Sequence, residues 1–386
     1  MKRIIIIGAG ASGVMCSLYL KKSIDDIEVI VLEQNASPLK KLLATGNGRC
    51  NLSNQNMTID HYCGENIEKI KPILDYDIVD EFFKLGILTK YQGNLLYPRS
   101  EQALTVKNCL YEQAMNEGVI FLYNQEVKSI DYNHSCVLTN HQSFHFNEVI
   151  FAMGSPAGKL SGQTFDRYQI FKKLKLKVNP LIPCLVQMKS KPTFPALKGV
   201  RIKGTFTLFD QHHSYREKGE MLFTNDGVSG IAIMQLSRYF NHQPMTLEID
   251  MFDDYSEKEL SDLISLRLKQ DHQHFYEGLV NSKIATFLEK KNLHSVREIV
   301  NILKHFQITI IGLRDESFAQ VLKGGLSLNE VDEFLEIKAY PHLYAIGEVL
   351  DVAGHCGGYN LHFAFASAYW VSKAIERTYY AKNNKC

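Results

Sequence analysis

The 386-residue chain lacks several features that would assign it to a functional class. Its 43 basic and 42 acidic side chains leave a net charge of +1, which gives no electrostatic argument for nucleic acid or an anionic membrane. No apolar run approaches the ~18 residues of a membrane span. The eight cysteines are scattered and none forms C-x-x-C, so neither a metal site nor a disulfide framework is predicted. Scattered thiols favour a reducing, cytoplasmic location.

What the sequence does contain is a nucleotide-binding pattern near its start. Four isoleucines at residues 4–7 run into GAGASG, where Gly8, Gly10 and Gly13 form G-x-G-x-x-G. The pattern predicts a buried strand, a tight turn and a helix whose N-terminus binds a pyrophosphate. A second predicted strand ends at Glu33, where a carboxylate would bind a ribose. The alternative is a glycine-rich turn that binds no nucleotide. Because the motif begins at residue 4, we expect no signal peptide before it.

Two further segments are rich in glycine and asparagine. Residues 38–54 read PLKKLLATGNGRCNLSN, and their small side chains would let the backbone lie close to a flat ligand. Arg49 in this segment is a candidate for neutralising phosphate, and the alternative is a surface loop with an unpaired arginine. Near the other end, a short predicted strand at 343–346 leads into GEVLD, GHCGGYN and a helix. This strand, turn and helix predict a second site for an anion or carbonyl group.

The middle of the chain has a different texture. Predicted strands at 181–188, 201–209, 219–224 and 245–250 indicate an antiparallel sheet or barrel. Capping boxes at 256–259 and 295–298 predict a helical unit. We predict three parts: a discontinuous cofactor domain of residues 1–184 and 330–386, an inserted antiparallel β domain of 185–254 and 306–329, and a helical subdomain of 255–305.

These motifs together resemble the aminoacetone oxidase / BaiN-like (YhiN-like) family of bacterial flavoproteins. The matching pieces are IIIIGAGASG, LLATGNGRCNLSN, VIFAMGS, GEMLFTNDGVSGIAIMQLS, LKGGLSLNEV and YAIGEVLDVAGHCGGYNLHFAFASAYW. The resemblance implies an α/β fold, α+β overall. It implies a discontinuous Rossmann FAD domain of the glutathione-reductase type, with an inserted β-barrel-like domain and a helical subdomain.

The resemblance also implies which residues hold non-covalent FAD. Backbone N–H groups at residues 358–361 would meet the flavin N1/O2 edge and stabilise the negative charge of reduced flavin. In chain order, the implied cofactor-binding residues are Gly8, Gly10, Ala11, Ser12, Gly13, Glu33, Gln34, Lys41, Thr45, Gly46, Asn47, Arg49, Cys50, Val127, Ala152, Gly154, Gly347, Glu348, Gly358, Tyr359, Asn360 and Leu361.

Three residues depart from the family pattern or lie where the family varies. Met153 stands where the family usually has threonine, so one hydroxyl contact is missing. His355 and Cys356 precede GGYN and would lie near the flavin ring, and both are candidate catalytic residues because a proton donor there would suit flavin chemistry. The alternative is that both side chains only line the pocket or face solvent.

The predicted function is that of an FAD-dependent oxidoreductase acting on a small organic substrate. The chain has no second G-x-G-x-x-G, so NAD(P)H would bind transiently at the flavin face as electron donor. We favour NAD(P)H-linked reduction of an activated C=C bond. The alternatives are an amine oxidase of the aminoacetone-oxidase type that uses O2, and an FAD-binding redox partner without turnover. An NAD-only dehydrogenase would leave GRCN and GGYN unexplained. The oligomeric state stays open.

Overall fold

The computed structural model describes residues 1–158, 166–270 and 274–383. Its strands in chain order are β1 (Lys2–Ile7), β2 (Ile27–Leu32), β3 (Ser53–Asn54), β4 (Tyr62–Cys63), β5 (Thr89–Gln92), β6 (Leu95–Pro98), β7 (Ile120–Leu122), β8 (Val127–Asp131), β9 (Cys136–Thr139), β10 (Ser143–His145), β11 (Glu148–Phe151), β12 (Val178–Cys184), β13 (Met188–Lys191), β14 (Arg201–Phe209), β15 (Ser214–Phe223), β16 (Gly227–Ser229), β17 (Met245–Asp250), β18 (Phe306–Leu313), β19 (Val321–Leu326), β20 (Leu343–Ala345) and β21 (Ala353–Gly354).

The helices alternate with the strands in the outer parts of the chain and gather in its middle. They are α1 (Ala11–Ser23), α2 (Lys40–Ala44), α3 (Ile78–Lys84), α4 (Ala103–Asn116), α5 (Gln169–Lys173), α6 (Ile231–Leu236), α7 (Glu257–Lys269), α8 (Ser282–Glu289), α9 (Val296–Lys304) and α10 (Tyr359–Asn383). Among these described helices, none is long and apolar enough to cross a lipid bilayer.

The chain divides into two compact units. The first unit is Met1–Ile182 with Val321–Cys386, and the second is Pro183–Gln320. The sequence predicts junctions after 184 and before 330 and a separate helical subdomain, and these boundaries stay predictions. The discontinuous first unit follows from the topology, because β20 returns to the sheet that β1 begins.

A five-stranded parallel sheet forms the centre of the first unit. Its strand order is β20-β11-β1-β2-β7, with β1 between β11 and β2. The isoleucines at residues 4–7 are all buried, as a strand covered on both faces requires. The predicted parallel strand is therefore confirmed, and its carboxyl end leads into the first glycine-rich turn.

Helix α1 packs inside this unit. Residues 12–20 of the helix are all buried, so it has no solvent-facing polar stripe. Tyr19 on α1 meets Tyr369 on α10 with ring centroids 5.2 Å apart. The N-terminal helix and the C-terminal helix are thus neighbours, which brings both glycine-rich turns into one unit.

Small sheets attach the remaining segments of the first unit. Strands β8, β9 and β10 form a three-stranded antiparallel meander. Strand β3 pairs with the hairpin of β5 and β6, and β4 pairs with β21. Strand β3 is the end of the asparagine-rich segment, and β21 leads into the second glycine-rich turn.

The second unit is built on a closed barrel of strands β13-β16-β15-β14-β17-β18. The capping boxes at Ser256 and Ser295 are both formed and begin α7 and α9, as predicted. The single predicted strand at 181–188 is wrong. The structure has β12 ending at Cys184 and β13 beginning at Met188, because Leu185 takes a positive φ of 51° that interrupts the extended chain.

Candidate flavin-binding site

The first glycine-rich turn joins β1 to α1. Gly8 has a φ of +107°, and a Cβ there would lie 2.6 Å from the Ala152 carbonyl oxygen. A Cβ at Gly13 would lie 2.0 Å from the Gly8 carbonyl oxygen. At Gly10 the nearest atom to such a Cβ is 3.9 Å away. The protein's own backbone therefore requires Gly8 and Gly13, whereas the space beside Gly10 is open to a ligand.

The N-terminus of α1 follows this turn directly. Gly10 is the N-cap residue and no side chain caps the helix. The N–H groups of the first turn of α1, including those of Ala11 and Ser12, have no carbonyl partner within the helix itself. Helix N-termini of this kind bind phosphate through these groups and the helix dipole. The turn accordingly fits a pyrophosphate.

Glu33 lies at the end of β2 and ties the turn in place. Its side chain is buried; Oε2 accepts a 2.8 Å hydrogen bond from the Ala9 N–H, and Oε1 accepts 2.8 and 2.6 Å bonds from the backbone and side chain of Asn35. The Gln125 N–H donates to the Glu33 carbonyl at 2.9 Å, which brings the start of β8 and Val127 to this strand end. Gln34 follows Glu33 and is half-buried.

The second strand, turn and helix begin at Gly347. This residue has a φ of +68°, and its N–H donates to Ser367 Oγ at 3.0 Å. A Cβ at Gly347 would lie 2.8 Å from Ser12 Oγ, so the residue packs directly against the first turn of α1. The structure thereby brings together two predicted cofactor residues from opposite ends of the chain.

Glu348 carries a buried oxygen that lacks a partner. Its Oε2 accepts a 2.8 Å ion pair from Lys41 Nζ and lies 3.8 Å from where a Cβ of Gly154 would stand. Its Oε1 is buried and has no hydrogen-bond partner among the described residues. A buried carboxylate oxygen of this kind needs a donor. Hydroxyl groups of a ribityl chain are such donors, so the residues fit FAD.

The loop at residues 45–50 is tightly wound. Gly46, Asn47 and Cys50 all have positive φ angles, between 55° and 61°. Thr45 Oγ1 donates to the Leu42 carbonyl at 2.6 Å. Burial raises the pKa of the Cys50 thiol to about 12, so Cys50 is a protonated packing residue and not a nucleophile.

The side chain of Arg49 packs against the hairpin of β5 and β6. Its guanidinium stands 4.8 Å from the Tyr97 ring centroid and pairs with Glu101 at 3.8 Å. The idea of an unpaired surface arginine is therefore wrong. Its predicted contact with phosphate stays a prediction, because the charge already has a carboxylate partner.

The asparagine-rich segment packs against the second glycine-rich turn. Asn54 Nδ2 donates to the Gly357 carbonyl at 3.0 Å. With its amide oriented to suit its neighbours, Asn51 donates to the Ser53 and Leu96 carbonyls and accepts from the Gly358 N–H at 3.2 Å. A Cβ at Gly358 would lie 2.4 Å from the Ser53 carbonyl oxygen. The two motifs, far apart in sequence, thus form one surface.

Side-chain hydrogen bonds hold the start of α10 in place. Asn360 Oδ1 accepts from the Gly354 N–H at 2.8 Å, and Asn360 Nδ2 donates back to the Gly354 carbonyl at 3.0 Å. The Tyr62 hydroxyl donates to the Tyr359 carbonyl at 2.8 Å. Leu361 is half-buried. The helix N-terminus is therefore fixed in position, as a site for developing negative charge requires.

Two histidines lie at the second glycine-rich turn, residues 354–360. His355 Nδ1 lies 3.4 Å from Nδ1 of His61, a residue that the sequence analysis missed. No sequence pattern indicates His61, because this residue reaches the turn only through the pairing of β4 with β21. Cys356 is half-buried in the same turn.

Two more residues of the site had no sequence signal. Arg167 Nη1 donates to the carbonyls of Met153 and Ser155 at 2.5 and 3.2 Å, next to the end of β11. The Nε2–H group of His362 in α10 donates to the Leu74 carbonyl at 3.1 Å, and its Nδ1 therefore accepts from the Ser53 hydroxyl at 2.9 Å. Burial lowers the pKa of His362 to about 4, so it is neutral and ties β3 to α10.

Comparisons with known proteins agree with this geometry. The chain is 31% identical to the 3-dehydro-bile acid delta(4,6)-reductase of Clostridium scindens over 97% of this chain and 99% of that protein. It is 28% identical to the ribosomal RNA dihydrouridine synthase of Haemophilus influenzae, over 97% and 98% of the two chains. The solved structure of 3-ketosteroid-delta4-(5alpha)-dehydrogenase from Rhodococcus jostii RHA1 matches with a TM-score of 0.53 and 13% identity, covering 97% of each chain, which shows a shared fold.

The family model described as "HI0933-like protein Rossmann domain" matches residues 2–374. This match spans both glycine-rich turns and the intervening barrel unit. The resemblance stated from the sequence motifs is thereby confirmed. The chain belongs to the HI0933-like Rossmann family of FAD-binding oxidoreductases.

Proposed function

We propose that this protein uses FAD and NAD(P)H to reduce a C=C bond conjugated to a carbonyl group in a small organic substrate. The observation that carries the proposal is the 31% identity, over nearly the full length, to a reductase of bile acid double bonds. The family match at residues 2–374 spans the segments that build the two turns. Specific substrates are set by pocket residues, so the proposal names the bond and not the molecule.

The chain's own residues account for binding and orientation. The open space at Gly10 and the uncapped start of α1 would hold the pyrophosphate, and Glu348 Oε1 would accept a ribityl hydroxyl. The fixed N-terminus of α10 would stabilise negative charge at the flavin N1/O2 edge. Bound FAD would supply the hydride transfer.

A second candidate is the same chemistry on uridine in RNA. The 28% identity to a ribosomal RNA dihydrouridine synthase favours it, because the C5=C6 bond of uracil is also conjugated to a carbonyl. The net charge of +1 argues against it, since RNA binding usually needs excess basic charge. We therefore place the small substrate first and keep the absence of a nucleic-acid partner as a proposal.

Anaerobic stopped-flow spectroscopy tests the proposal. The purified protein is loaded with FAD and mixed with NADH or NADPH, and the reduced protein is then mixed with 4-androstene-3,17-dione or with ribosomal RNA. We expect the flavin absorbance to bleach with the nicotinamide and to return with the steroid. If the flavin absorbance returns only with RNA, and mass spectrometry detects dihydrouridine in that RNA, the second candidate is favoured.

Three other results would contradict the proposal. A flavin that NAD(P)H leaves oxidised but that a small amine reduces would make the protein an amine oxidase, with O2 as acceptor. A flavin that is reduced yet reoxidised by neither the steroid nor RNA would favour a redox partner protein. A colourless protein that takes up no FAD would contradict the cofactor itself.

A further inference from the structure

We propose that His61 and His355 act together as the proton donor that completes the double-bond reduction. This inference rests on the proposed function, since it needs a substrate carbon that accepts a proton. It names a pair in place of the single histidine that the sequence indicates.

Backbone pairing brings the two histidines together. His61 ends a short 3-10 turn just before β4, and His355 directly follows β21. In the antiparallel pair of these strands, Tyr62 stands opposite Gly354, and the His355 N–H donates to the His61 carbonyl at 2.9 Å. Main-chain hydrogen bonds therefore set the spacing of the rings.

The two imidazoles face each other edge to face. Their ring centroids are 4.8 Å apart, the planes meet at 71°, and the Nδ1 atoms are 3.4 Å apart. Tyr359 packs against both rings, with centroid distances of 4.6 Å to His61 and 5.9 Å to His355. Because Tyr359 is the first residue of α10, the pair lies at the helix end where the flavin edge is predicted.

Such a pair holds one mobile proton. When one Nδ1 donates to the other, the acceptor ring must be neutral, and two positive rings at this distance would repel. The pair can therefore hold and release a single proton. The neighbouring Tyr62 and Tyr359 stay neutral, since burial raises the pKa of both phenols. The other titratable groups adjacent in the chain are the exposed Asp60 and the thiols of Cys63 and Cys356.

In the proposed step, a hydride that bound, reduced FAD would supply adds to the β carbon of the conjugated bond, and the π electrons move toward the α carbon and its carbonyl. The α carbon then forms a C–H bond with the proton that an imidazolium N–H of the pair releases. NAD(P)H supplies the next hydride and becomes NAD(P)+, while solvent returns a proton to the pair. The substrate gains two hydrogens in all.

The variants His61→Asn and His355→Asn test this role, with His134→Asn as the matched control. His134 is exposed and pairs with Asp131 at a surface turn. Each FAD-loaded protein is reduced with NADPH and mixed with 4-androstene-3,17-dione or with ferricyanide. We expect reoxidation by the steroid to fall at least about 100-fold in the two site variants, the usual scale of general acid catalysis. Reduction by NADPH and oxidation by ferricyanide, which protonates no carbon, should stay unchanged.

A second readout does not depend on turnover. In 15N NMR of the imidazole nitrogens, the wild-type pair should titrate in two steps shared by both rings. In His61→Asn, His355 should titrate in one step, and His134→Asn should leave the shared steps intact. FAD content and melting temperature show whether each variant is folded.

Several outcomes would overturn the inference. Steroid reoxidation at the wild-type rate in both variants would contradict it, and so would independent one-step titrations in the wild type. An equal loss with ferricyanide would show a structural role. If neither the steroid nor RNA reoxidises the reduced wild type while ferricyanide does, the proposed function fails, and the pair has no double bond to protonate.

Discussion

The two glycine-rich turns, at residues 8–13 and 354–360, are held in place by different parts of the chain. The tightest contact of the first turn lies within it, between Gly13 and the Gly8 carbonyl, and Gly8 also packs against Ala152 after β11, the strand beside β1. The turn at residues 354–360 is held by a remote segment, residues 51–54, and by the Asn360 side chain. We therefore call the first turn local and the second turn assembled.

This difference predicts which substitutions each turn tolerates. A local turn tolerates change only at positions that face the ligand, such as Gly10. An assembled turn depends on polar side chains of another segment, so its geometry can be disturbed without touching the turn itself. The following variants test this contrast.

The largest effect is expected for Gly13→Ala in the local turn. The new Cβ would lie 2.0 Å from the Gly8 carbonyl oxygen, so the backbone must shift, and we expect a loss of about 3 kcal/mol or more in unfolding free energy. Gly10→Ala is the control, because its Cβ meets open space. It should keep the stability but weaken FAD binding. Urea unfolding and flavin fluorescence measure both, and equal stability losses would contradict the contrast.

The next effect concerns His362, which joins β3 to α10 beneath the assembled turn. Its pKa is about 4 in the folded protein against about 6.5 unfolded, so the unfolded state binds more protons between these values. Stability should therefore fall by up to about 3 kcal/mol as the pH drops from 6.5 to 4. Urea unfolding at several pH values measures the slope. His362→Gln should remove this part of the slope and His134→Asn should not; an unchanged slope in His362→Gln would rule out the assignment.

A smaller effect is expected for Asn51→Ala. The variant removes hydrogen bonds to the Ser53 and Leu96 carbonyls and to the Gly358 N–H, and leaves buried groups unsatisfied. We expect a loss of about 2 kcal/mol together with weaker FAD binding. Gln55→Ala, at an exposed position of the same segment, serves as the control. Equal melting temperatures of the two variants would show that residues 51–54 do not hold the turn at residues 354–360.

The smallest change in stability is expected for Lys41→Met. The ion pair with Glu348 is partly exposed, with 38% of the lysine side chain accessible, so its loss should cost below about 1 kcal/mol. FAD binding should weaken more clearly, because Glu348 then loses the partner that orients it. Lys84→Met, which breaks a surface pair with Asp80, should change neither quantity. Equal FAD affinity in both variants would exclude Lys41 from the site.

Much of the fold could be predicted because its signals are local. The boundaries of β14 and β17 match the strands predicted at 201–209 and 245–250, and the capping boxes at Ser256 and Ser295 begin helices. Where prediction failed, at 181–188, a leucine adopts a positive φ that its residue type does not indicate. Propensity alone gives no sign of such a position.

The candidate site divides in the same way. Gly8, Gly13 and Glu33 follow from a fixed spacing, because β1, the turn, α1 and the next strand β2 follow one another directly along the chain. His61 and Arg167 could not be found from the sequence, because their roles arise only when β4 meets β21 and when a guanidinium reaches the end of β11.

The sequence by itself determined the family, the nucleotide-binding turn and the alternation of α/β and barrel segments. These depend on glycine positions and on hydrophobic periods, which act over a few residues. Only the tertiary structure decided that residues 51–54 hold the second turn, that Glu348 keeps a buried oxygen without a partner among the described residues, and that His61 faces His355. The physical reason is that such contacts join distant segments, and their geometry depends on the packing of the whole unit.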